Sequence, residues 1–241
     1  MSMKKTNKPI FKIVLTLLFT AAILAAAIYV NIKGDLEKPY LTFACVGVSF
    51  LMSLLFIRKT NKKVYLTLAL AVTVAAHYFW FFDPLGGKDY QLVGICLFLG
   101  AQFFFMLYSL TLTRAIFMKV IDIALRVAAC LIIAFVVKKQ VTLSTVDMLG
   151  LMYLANCVVT MISMLIHIKT EWFTFIGFAL LFVSGLFTMF LMDITGALHL
   201  TSAFLEFLLK NYTYAVVDTY LAGLLVISHS SVWSKGQHEV K

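Results

Sequence analysis

VAAHYFWFFDPLGG, residues Val74–Gly87, is the point where one apolar run stops and the next is about to begin. Asp83-Pro84 and Gly86-Gly87 are turn formers, and they sit together at the break. An apolar run over 64–82 precedes the turn and another over 91–112 follows it. Each is about 20 residues long, which a helix rising 1.5 Å per residue needs to cross a hydrocarbon layer of about 30 Å. Two helices joined by so short a turn pack as antiparallel neighbours. One residue does not fit plain apolar filling. His77 stands among aromatic side chains in the second half of the first run.

The rest of the chain repeats this pattern. Its 241 residues are 62% hydrophobic and 13% charged, with a mean hydropathy of +0.98. A soluble domain is closer to half apolar and a quarter charged, and must cover its outside with polar groups. The bilayer is therefore the expected solvent for much of the surface. Eight runs qualify as spans, roughly 12–32, 40–57, 64–82, 91–112, 119–137, 146–167, 172–193 and 212–230. Barrel strands need only about ten alternating residues, so the run lengths specify helices. The expected fold class is all-α: a polytopic membrane protein, a bundle of about eight transmembrane helices with short loops. Residues 1–241 form a single transmembrane helical domain. The basic start and the long run from Ile13 to Ile32 are read as an uncleaved first span. Segment 195–211 carries an amphipathic pattern with Glu206 and Lys210 four apart. It is read as an interfacial segment, the alternative being an extension of the last span.

Basic residues set the orientation. Thirteen Lys and Arg fall on the side holding both termini, including Arg58, Lys59, Lys62, Lys63, Arg114, Lys119 and Lys169, against six on the other. The excess puts both termini in the cytoplasm of a multi-pass cell-membrane protein. The net charge of +9 is distributed in these loop clusters. It is a signal of topology and of contact with anionic lipid rather than with nucleic acid. Cys45, Cys96, Cys130 and Cys157 all lie inside apolar runs without pair or metal spacing, and are read as small buried apolar residues. No metal site, cofactor motif or hydrolase elbow is present in the sequence, and no inverted halves support a transporter.

Polar residues inside the runs are the candidate functional positions, because an ionisable group at depth is costly unless paired or hydrated. Asp122 and Arg126 are four apart in the fifth run, on one helix face near its cytoplasmic end, and are read as an intramembrane ion pair that snorkels to the interface, the alternative being a functional pair. His77 lies about 20 Å from the cytoplasmic end of its helix. It is either a packing imidazole or an acid–base group. Gln102, Asn156 and Ser184 sit near mid-depth and are interhelical hydrogen-bonders or positioning groups. Asp218 lies about two turns into the last run. With His77 and Asp83 it belongs to the outer half, where the three can line one cavity.

Three stretches resemble one family. LTLALAVTVAAHYFWFFDPLGGKDYQLVGICLFLGAQFFFMLYSL (66–110), GFALLFVSGLF (177–187) and TYLAGLLVISHS (219–230) are similar to segments of the YhhN-type lysoplasmalogenases, which are integral membrane proteins. The chain departs from their pattern at Ala76-His77, Gln102, Phe105, Gly185 and Gly223, where relatives tend to carry Gly-Asp, His, Tyr, Asp and Gln. The resemblance implies hydrolysis of the vinyl ether bond of a lysoplasmalogen, to a fatty aldehyde and a glycerophospho head group, without a cofactor. His77 and Asp218 would then be the catalytic acid–base pair. Gln102, Asn156 and Ser184 would position substrate or water. The implied partners are membrane lipids, with a lysophospholipid as substrate. The polar departures fit a second expectation, a catalytically inactive lipid-binding or scaffold protein of the same fold. A small transporter is the third.

Overall fold

The structure is a computed structural model, and residues 8–33, 38–55, 61–82, 89–137, 144–189 and 219–230 are described. They form eight helices, and there is no strand among the described residues. These are α1 (Lys8–Lys33), α2 (Lys38–Leu55), α3 (Asn61–Phe82), α4 (Asp89–Leu112), α5 (Ile116–Ile132, running on as a π-helical turn over Ile133–Val137), α6 (Thr145–Ile166), α7 (Ile168–Met189) and α8 (Thr219–Ser230). Four segments are long and apolar enough to cross a membrane: Lys63–Phe82, Tyr90–Leu112, Thr145–Ile166 and Ile168–Phe187. Ile13–Ala26, Tyr40–Leu55 and Thr219–Ser230 are apolar but shorter. The turn at 83–88, Asp218 and the segment 195–211 lie outside the described residues.

α2 and α3 run antiparallel. Tyr40 at the start of α2 meets Phe82 at the end of α3 with its ring tilted, while Ser53 near the end of α2 bonds Thr67 near the start of α3. The interior follows from helical spacing. On α3, Lys63, Leu66, Thr67, Leu70, Thr73 and His77 recur every three or four residues, and all are buried. On α4 the matching stripe is Ala101, Phe105, Tyr108 and Leu112. These two stripes meet Met164 of α6, Phe178 and Leu181 of α7, and Leu224 and Ile227 of α8 in one core. Phe105 and Phe178 close it edge to face at 4.6 Å between ring centres.

Glycine sets the closest approach. A Cβ on Gly177 of α7 would stand 2.9 Å from the Gly223 carbonyl oxygen, and a Cβ on Gly223 of α8 would stand 2.9 Å from the Gly177 carbonyl oxygen. The two backbones meet where neither residue has a side chain, as small residues allow between apolar helices.

The ends of α6 and α7 differ from the expected spans. A single residue, His167, separates the two helices, and α7 begins at Ile168 rather than near 172. Its backbone leaves helical values at Glu171 (φ −121°, ψ 21°), so the chain turns within the first turn of α7 instead of in a loop. At the other end of α6, Ser144 caps the helix. Its hydroxyl accepts from the Asp147 N–H at 3.1 Å, and the Asp147 carboxylate accepts from the Ser144 N–H at 3.0 Å. The spacing of Ser144 and Asp147 is that of a capping box, a signal present in the sequence.

α5 is built the other way round from a soluble helix. Its buried residues are Asp122 and Arg126. Ile116, Phe117, Val120, Ile123, Val127 and Leu131 all point away from the bundle, with Ile116 77% and Phe117 73% exposed. It packs chiefly against α6.

Candidate functional site

Polar side chains gather in several places inside the bundle, and consecutive residues of α6 divide two of these regions. A helix turns about 100° per residue, so Asn156 and Cys157 look at different neighbours. Cys157 faces α4, where the Gln102 amide donates to its sulfur at 3.0 Å. Asn156 faces α5, where Arg126 reaches its side-chain and backbone oxygens, each at 3.3 Å.

The first region holds His77. Its Nδ1 lies 2.8 Å from the Thr73 carbonyl oxygen, one turn back on α3. A carbonyl can only accept, so Nδ1 carries the proton. The ring then meets Phe81, Phe98 and Tyr220, with centres 5.4, 5.0 and 5.0 Å away. Phe98 continues to Tyr153 at 5.9 Å. Tyr153 is within hydrogen-bonding reach of both Cys157 and Gln102. His77, expected from sequence as an acid–base group, and Gln102, expected as a positioning group, therefore share one neighbourhood, linked through aromatic rings rather than directly. The Gln102 carbonyl oxygen is buried without a hydrogen-bond partner. Ser184 is buried on α7 beside Gly185, which packs on Leu154 and Tyr153.

The second region is a charged node between α5 and α6. Arg126 Nε donates to Asp122 at 2.9 Å, and Nη1 donates to the Thr160 hydroxyl at 3.1 Å and to Asn156. The Ser163 hydroxyl donates to the same carboxylate. Asp122 and Arg126 are 8% and 4% exposed, so the pair expected from their spacing is formed, but it is enclosed between helices rather than snorkelling to an interface. Asn156, expected beside His77, belongs to this node instead. A cleft of about 300 Å³ opens next to it, between Thr113–Ala115, the first half of α5, and the end of α6.

A third cluster was not singled out by sequence reasoning. Glu171 of α7 is buried and accepts from Tyr108 of α4 at 2.7 Å and from Thr174 at 2.9 Å. Lys63 of α3 lies within electrostatic reach of it and donates to the Ser230 carbonyl, at the end of α8, at 3.0 Å. The sequence pattern puts Lys63 in a loop and Glu171 between two expected spans, whereas both are buried in the bundle. The available signal was that Glu171 is a lone carboxylate among basic loops. Cys157, expected as a small apolar residue, is buried and also accepts a hydrogen bond. Cys45 is buried as expected, whereas Cys96 is exposed and Cys130 half-buried.

Among the described residues no group of three His, Cys, Asp or Glu side chains is placed to hold a metal ion. Comparison with known proteins returns no matching family model, no matching curated protein and no matching solved structure.

Proposed function

We propose that this chain is a multi-pass protein of the cell membrane, with eight spans and both termini in the cytoplasm, and that it serves as a non-catalytic lipid-binding or scaffold protein. The observation that supports membrane residence is α5, whose charged residues face inward and whose large apolar residues face outward. In water that arrangement exposes apolar surface and buries charge. In hydrocarbon both costs reverse. α1 agrees, with Ile10, Phe11, Leu17, Leu18 and Ile28 all exposed.

The setting of His77 supports the non-catalytic part. A general acid or base must reach the atom it protonates, directly or through one water. His77 spends its one N–H on its own helix and is covered by three aromatic rings. Vinyl ether hydrolysis has one observation in its favour, the buried Gln102 carbonyl oxygen without a partner in the same neighbourhood.

Two experiments decide. Purified protein incubated with a lysoplasmalogen should release no more aldehyde than detergent alone. Release that falls in His77→Ala or Asp218→Asn would establish the hydrolase instead. A cysteine at Lys88 should label from outside intact cells and one at Lys62 should not; the reverse pattern would invert the topology.

A further inference from the structure

The cleft beside the charged node has the build of an amphiphile site. Its walls are one stripe from each of two antiparallel helices. Met118, Ile121 and Leu125 come from α5, and Val159, Ile162 and Ile166 come from α6. Within each stripe the residues recur every three or four positions, so each wall is continuous. Leu125, Ile162 and Ile166 line the cleft and remain about half exposed, so it is open along its length to whatever surrounds the bundle. In the membrane reading proposed above, on which this inference rests, that surrounding is lipid chain.

One end of the cleft is polar and positive. Thr113, Arg114 and His167 stand at its mouth. The His167 ring is engaged with the Thr113 hydroxyl at 3.1 Å. Arg114 is exposed, and among the described residues it makes no ion pair and no hydrogen bond. α5 starts two residues on at Ile116, and Ala115 before it offers no side-chain cap, so the first N–H groups of that helix are open to an acceptor. Lys119 and Lys169 lie at the same end of the bundle. The deeper end contains a carboxylate, Asp122, but Arg126 at 2.9 Å already balances it and Ser163 bonds it too. The charge left for an occupant is therefore that of Arg114.

We infer that the cleft between α5 and α6 binds one anionic phospholipid, its phosphate on Arg114 and the uncapped start of α5, and one acyl chain along the Leu125–Ile162 wall. The volume of about 300 Å³ suits a single chain, since it is at the low end of the range of about 300–1,000 Å³ usual for ligand pockets. A free phosphate would use the mouth but leave the apolar wall uncovered. A zwitterionic lipid would cover the wall without a net charge for Arg114.

The test uses the full chain in detergent, given phosphatidylglycerol or phosphatidylcholine, with bound lipid counted by native mass spectrometry. One phosphatidylglycerol should be retained with a preference of roughly fivefold, the size expected for one basic residue near an anionic headgroup. Arg114→Gln should remove the preference and Arg114→Lys should keep it. Leu125→Trp, which fills the wall, should reduce retention of both lipids. Equal retention of the two lipids by the unaltered protein would overturn the inference, and that comparison needs no variant to fold. So would an undiminished preference in Arg114→Gln. A dimer lost in Leu125→Trp with no lipid adduct would assign the cleft to a second copy. Flotation with vesicles after a carbonate wash separates the two levels. A chain that floats but shows no lipid preference loses only this site, while one that stays behind loses the membrane reading as well.

Discussion

His77 and Arg126 are equally buried, yet they are satisfied in opposite ways. His77 closes its hydrogen bond on its own helix, to Thr73 four residues back, and turns only ring faces and edges toward other helices. Arg126 spreads its donors over Asp122 on its own helix and Asn156 and Thr160 on the next. The first arrangement would survive if the helices moved apart; the second would not. A polar residue in an apolar run is thus informative only once its partners are known. The one whose partners lie on another helix fixes how that helix is held. α5 packs chiefly on α6, so this node is what anchors it.

Four substitutions would break or sharpen that contrast. The largest effect is expected for Arg126→Leu, which leaves Asp122 buried without its counter-charge. Loss of about 3 kcal/mol is expected from the usual cost of breaking a buried pair, read as the shift of an unfolding transition in mixed micelles. Next is Tyr108→Phe, which removes a donor from Glu171. It should cost about 1–2 kcal/mol, the range for a buried acceptor left short of a partner. Replacing both charges, Asp122→Leu with Arg126→Leu, should bring the protein back to within about 1 kcal/mol of the original, because a buried pair is often no better than a well-packed apolar one. If the double variant is as unstable as Arg126→Leu alone, Thr160, Asn156 and Ser163 are a larger part of the anchor than the pair. The smallest effect belongs to His77→Phe, a ring for a ring. About 0.5–1 kcal/mol is expected, one own-helix hydrogen bond. A loss as large as that for Arg126→Leu would show that His77 has a cross-helix partner and that the contrast fails.

Part of this was legible in the sequence. The eight apolar runs correspond to the eight described helices because run length and helical rise leave little choice. α6 begins at Thr145 where the run was expected near 146, and α3 ends at Phe82 as expected. The Asp122–Arg126 pair was legible because spacing of four lies within one helix. Asn156 was not, because which neighbour a helix shows to α4 and which to α5 depends on how it is rotated in the bundle. The Glu171–Tyr108 contact joins residues 63 positions apart, and no local pattern encodes it. The start of α7 was missed because His167 alone breaks the helix, without proline or glycine to mark the place.

By itself, the sequence determined the class of fold, all helical: a high apolar content and runs long enough for helices, four of them long and apolar enough to cross a membrane. Each of these is a sum over many residues, so no single contact can reverse it. Only the tertiary structure decided which polar residues meet. It set His77 against aromatic rings, put Asn156 on Arg126, brought Gly177 onto Gly223, and opened a cleft beside Arg114. Those outcomes depend on helix rotation and on approach distances of a few ångströms, and both are set by all the packed side chains together.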